Sequence, residues 1–129
     1  DEFSDRLIIF LIHFAFFLKV FKSSVAEKKM QNLYDYIFKQ LEISIREVGY
    51  GDASINKKMK DYINLFYSII NQIDNWDNCD LQKKNAFLSN YLNKSINMDK
   101  LSAYFDKYYI FLTNNTFNSF SKGVIKAKF

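Results

Sequence analysis

Apolar side chains recur along this chain at steps of three and four residues, the period that lines one face of an α-helix. One stripe runs from Met30 through Leu33, Tyr34, Ile37, Phe38, Leu41 and Ile45 to Val48, and another from Ile55 through Met59, Tyr62, Ile63, Phe66 and Ile70 to Ile73. Both predict long amphipathic helices. A different pattern precedes them. Leu7 to Leu18 is apolar except for His13, and Asp5, Arg6 and Lys19 bound the run. A spanning helix needs about 20 apolar residues, so this shorter run is expected to be a core helix. The alternative is a helix resting on a membrane or on a hydrophobic client.

Cap and turn residues mark where these elements begin and end. Ser4 is placed to cap the first helix, over about residues 5–22, and Ser24-Val25-Ala26-Glu27 has the form of a capping box opening the second. Asp80 can cap a fourth helix to about Asn93, with Leu81, Leu88, Tyr91 and Leu92 on a stripe that Lys84 and Asn85 interrupt. A fifth is expected from about Met98 to Thr113, with Leu101, Tyr104, Phe105, Tyr108 and Leu112 inward and Asn114-Asn115 ending it. Asn75 to Cys79 is polar and reads as a loop, with the Trp76 ring anchored in the core. Phe117 and Phe120 predict a short further turn, and Val124 to Phe129 an extended tail. Proline, the strongest helix breaker, is absent, and neither a repeat nor a linker divides the 129 residues. The expectation is one all-α domain, a compact bundle of five to six helices.

The second and third helices meet at a corner holding two of the chain's three glycines. Gly49 follows the last periodic residue and suits a left-handed C-terminal cap. Gly51 is expected to supply a second unusual backbone angle. Asp52 or Ser54 can cap the helix that follows. Lys57, Lys58 and Lys60 lie in its first turns, where the helix dipole disfavours cations, so they read either as a solvated face or as a contact patch. Tyr50, between the glycines, can project its ring as a contact residue.

Composition changes this picture only a little. The aromatic share is 19%, with 14 Phe and 9 Tyr, and the net charge is +4. That charge is compatible with an anionic partner but too small to establish one, and no run of five like charges is present. One cysteine excludes an internal disulfide framework.

Nothing in the chain assembles catalytic chemistry. His13 lies within the most apolar run and is expected to be a core histidine with one hydrogen bond. Cys79 sits between Asp77 and Asp80, and carboxylate neighbours raise a thiol pKa, which argues against a nucleophile. One His and one Cys cannot fill a zinc shell, so neither metal nor cofactor is expected. Glu47 and Asp52 flank the turn, but a salt bridge with Arg46 or Lys58, plus a cap, accounts for them better than paired acid–base groups. Gly49-Tyr50-Gly51 lacks the third glycine and the preceding strand of a phosphate loop.

The corner carries a resemblance. Arg46-Glu47-Val48-Gly49-Tyr50-Gly51-Asp52-Ala53-Ser54-Ile55-Asn56-Lys57-Lys58-Met59-Lys60, followed by Phe66-Tyr67, is similar to the ubiquinol–cytochrome c chaperone family of mitochondria and alphaproteobacteria. That family shows Arg-Glu, Gly-x-Gly-Asp, Ser, Lys-Lys-x-Lys and Phe-Tyr in this order and spacing. The aromatic first helix with His13 also fits, although outside about residues 45–67 the likeness is one of pattern. Asn56 stands where a glycine is common, and Ser68 where a basic residue is frequent.

The resemblance implies an all-helical, non-enzymatic assembly factor, a chaperone that helps new cytochrome b toward complex III. It would work at the cytoplasmic face of an inner membrane, or in mitochondria if the source is eukaryotic. The expected partner-binding residues are Arg46, Glu47, Tyr50, Asp52, Lys57, Lys58 and Lys60, with cytochrome b as client, no small-molecule substrate, and a ribosome or membrane surface as further candidate contacts. The alternative reading is a basic helical module for RNA, the ribosome or anionic lipid, with Lys57, Lys58 and Lys60 as its patch.

Overall fold

A computed structural model describes residues 2–115 and contains no strand among them. Five α-helices and one short 3-10 turn follow in order: α1 (Glu2–Phe21), α2 (Glu27–Glu47), α3 (Asp52–Ile73), the turn Trp76–Asn78, α4 (Leu81–Tyr91) and α5 (Met98–Thr113). The all-α bundle expected from the periodicity is the observed architecture. The predicted turn at Phe117 and Phe120 and the tail from Val124 lie outside the described residues.

α1 is the middle rod. It packs on α3 along one side and on α5 along another, while α2 covers α3 and α4 covers α5. Leu11, Ile12 and Phe16 are fully buried, and Leu7, Ile8, Ala15, Phe17, Leu18 and Phe21 nearly so. The run of apolar residues without a polar face is therefore explained by neighbours on several sides, as the sequence predicts. Around Phe16 the rings of Trp76, Phe105, Tyr108 and Tyr109 lie with centroids 5.1–6.4 Å away. These are edge, stacked and tilted pairs of the kind that add about 0.5–1.5 kcal/mol each beyond simple burial.

Polar ties fix the elements around this core. His13 Nδ1–H donates to the Ile9 carbonyl at 2.7 Å, which leaves neutral Nε2 to accept from the Tyr104 hydroxyl at 2.6 Å. Burial holds its pKa below the ordinary 6.5, and the bond to Ile9 opposes that only in part. The expected core histidine thus has two bonds rather than one, and the second joins α1 to α5. Trp76 is buried, with Nε1–H donating to Asp106 at 2.9 Å, and Lys84 donates to the same carboxylate oxygen at 2.9 Å. Lys19 caps the far end of α3 by donating to the Asp74 carbonyl at 2.7 Å, and it pairs with Asp77 at 3.2 Å. Tyr109 also donates to Asp77, and burial together with that carboxylate pushes the phenol up to about 12.

Several expected caps are corrected. Ser4 lies inside α1, which begins earlier, at Glu2. Ser24 does not form a capping box: α2 starts at Glu27 after Ala26, which offers no cap side chain, and the Ser24 hydroxyl bonds back to Phe21. Asp80 does cap α4, accepting from the Lys83 amide, and Asn97 caps α5 in the same way. Of the predicted stripe, Leu88 and Leu92 are buried and Tyr91 is half-buried. Leu81 is exposed and Phe87 is buried instead, because Lys84 and Asn85 face α5 through Asp106, Asp99 and Ser102. The residues that interrupt the apolar stripe are the polar seam between these two helices.

Candidate docking corner and the adjoining cleft

The corner between α2 and α3 stands open to solvent. The α2 helix stops when Gly49 turns to φ 97°, the left-handed region that only glycine enters freely. The Gly49 amide bonds the Arg46 carbonyl and the Val48 amide the Ile45 carbonyl, so the freed end is satisfied locally. Gly51 does not repeat the trick. Its φ of −69° and ψ of 161° are ordinary extended values, and it is itself the N-cap of α3. Asp52 and Ser54 are inside the helix rather than capping it.

The predicted contact residues do not share one placement. Arg46 turns back along its own helix and bonds Glu42 at 3.2 Å. Glu47 is exposed and lines a cleft. Tyr50 is 38 % exposed, and the Lys58 ammonium sits 5.4 Å from its ring centroid, a cation–π contact that spans the turn. Lys58 is therefore partly covered. Asp52 is the first residue of α3.

Lys57 and Lys60 are exposed on the outward row of α3, which continues through Asn64 to Tyr67. Asp61 lies beside Lys60 on that side, so the three lysines do not form a continuous basic patch. In the Phe66-Tyr67 pair, Phe66 is fully buried and Tyr67 is 49 % exposed. Ser68 bonds the Tyr91 hydroxyl at 2.8 Å, so its small side chain serves the contact with α4.

Next to the corner lies a cleft of about 450 Å³. Phe3, Arg6, Leu7 and Phe10 of α1 form one wall, and Gln40, Ser44 and Glu47 of α2 with its C-cap Val48 the other. Beneath it Leu7, Leu41, Ile45 and Ile55 make a small buried cluster joining α1, α2 and α3. The sequence reading missed this cleft. The signal for it was present as two rows at helical spacing, Phe3/Leu7/Phe10 and Gln40/Ser44/Val48. A stripe of single-helix periodicity, however, does not say which neighbour is missing.

Among the described residues no group of three or more His, Cys, Asp or Glu side chains is placed to hold a metal ion. No helix among them is long and apolar enough to cross a membrane. Residues 1–108 match the family described as Ubiquinol-cytochrome C chaperone. No curated protein and no solved structure matches the chain.

Proposed function

We propose, from the premise that this chain belongs to the ubiquinol–cytochrome c chaperone family, that it binds cytochrome b and promotes assembly of complex III. The observation that carries the reading is the open corner. Residues 46–60 hold the family-like motif, yet Tyr50, Lys57 and Lys60 are exposed rather than packed. A motif needed only for folding would be expected to hide its large side chains, whereas one that meets another protein leaves them accessible. Tyr50 is a rigid ring steadied by Lys58, a suitable anchor, and the flanking charges supply orientation. Glu47, Asp52 and Arg46 complete the docking set, with no reaction to perform. The site of action is the surface of the membrane that holds complex III, on the cytoplasmic face of a bacterial inner membrane or inside a mitochondrion.

Deleting the gene should lower assembled complex III while leaving other respiratory complexes at their normal level. In pull-downs, the chain should retain cytochrome b, and Tyr50→Ala combined with Lys57→Glu should weaken retention about tenfold or more, equivalent to about 1.4 kcal/mol or more. Normal complex III in the deletion strain would overturn the proposal.

A further inference from the structure

We propose that the cleft between α1 and α2 is a slot for one amphipathic helix of a client polypeptide, lying with an acidic side chain toward Arg6 and a basic one toward Glu47. The inference rests on the chaperone reading above and narrows it to a binding mode. α1 and α2 both pack on α3, but they share no broad seam with each other. Each turns a row at helical spacing into the gap between them, spanning eight residues of α1 from Phe3 to Phe10. Such a row is about 10 Å long, two helical turns.

The chemistry of the walls narrows the occupant. Phe3, Phe10 and Val48 are accessible apolar surface, and Val48 is 49 % exposed. Arg6 and Glu47 are both exposed, stand on opposite walls, and have no hydrogen-bond or ion-pair partner among the described residues. Phe3, Leu7, Phe10 and Val48 give the cleft an apolar side, Gln40 and Ser44 a polar one, and Arg6 and Glu47 opposite charges, a lining that fits a helix with one apolar stripe and flanks of opposite sign. This is groove recognition of an amphipathic helix, with the charges setting its direction. A lipid tail would use the apolar side but leave Gln40, Ser44 and Glu47 unmatched.

The test uses the purified full chain and a labelled synthetic helix of about four turns, with leucines at i, i+3, i+4 and i+7, glutamates along one flank and lysines along the other. Fluorescence anisotropy should show binding, and Arg6→Glu with Glu47→Lys should weaken it about tenfold or more. A second peptide with its flanks exchanged should bind that double variant better than the native chain. Circular dichroism of the variant should match the native chain, since both positions are exposed. Equal binding of both peptides by both proteins would overturn the slot, as would no binding. Loss of self-association in the double variant without peptide binding would assign the cleft to a second copy, and loss of binding to phosphatidylglycerol vesicles alone would assign it to lipid. Either result also overturns the proposal. If the double variant supports normal complex III in cells while the Tyr50 and Lys57 changes do not, the slot fails and the chaperone reading stands. Normal complex III in the gene deletion would remove the chaperone reading itself.

Discussion

Gly49 and Gly51 stand two residues apart and do different work. An added Cβ meets nothing within 4 Å at either position, so space is not the issue. At Gly49 the backbone is left-handed, and Gly49→Ala should cost about 1–2 kcal/mol from strain alone. At Gly51 the angles are ordinary and the position is an N-cap without a side-chain oxygen, so Gly51→Ser should stabilise the chain by about 0.5–1 kcal/mol. Urea midpoints of the two variants, moving in opposite directions, check both claims. His13 provides a third residue-level expectation. Its folded pKa lies below the ordinary 6.5, so between those two values the unfolded chain binds more protons than the folded one. Stability is therefore lost as pH falls below about 6.5 and is fully present above it. Urea unfolding across pH 7.5 to 5 should show this slope, and His13→Gln should flatten it while lowering stability at neutral pH.

At the scale of elements, the turn at Trp76–Asn78 is the joint that holds the C-terminal pair against the rest. One Asp106 oxygen accepts from both Trp76 and Lys84, and Asp77 accepts from Tyr109 and pairs with Lys19. Asp106→Ala would strand the buried indole N–H and should cost about 1–3 kcal/mol, whereas Asp106→Asn keeps an acceptor and should cost less. The chain has one tryptophan, so its fluorescence reports the change directly. Most of these elements were legible beforehand. The stripes of α2 and α3, the burial of α1 and the Asp80 cap follow from period and position, which are local properties. Ser24 and Gly51 were misread because several short side chains or glycines at a turn can satisfy the same helix end, and tertiary packing selects among them. Lys84 and Asn85 looked like a break in α4 because pattern alone cannot distinguish a solvated polar residue from one facing a carboxylate on another helix.

For the whole molecule, a single cooperative unit is the expectation that follows from α1 linking both helix pairs. Unfolding followed by Trp76 fluorescence and by far-UV circular dichroism should give coincident curves. Two separated transitions would show that α4 and α5 come apart independently. The functional site was less legible than the fold. The corner was visible because glycines and charges punctuate the sequence there. The exposed Tyr67 and the cleft were not, because each depends on which surfaces remain uncovered after every helix has found its place.

The order of synthesis gives the middle position of α1 a further meaning. This rod is made before either of the helices that enclose it, and α3 is complete only at Ile73. At an elongation rate of about 5–20 residues per second, its phenylalanines and leucines wait several seconds for cover. During translation this rod is itself a bare apolar surface in need of shelter.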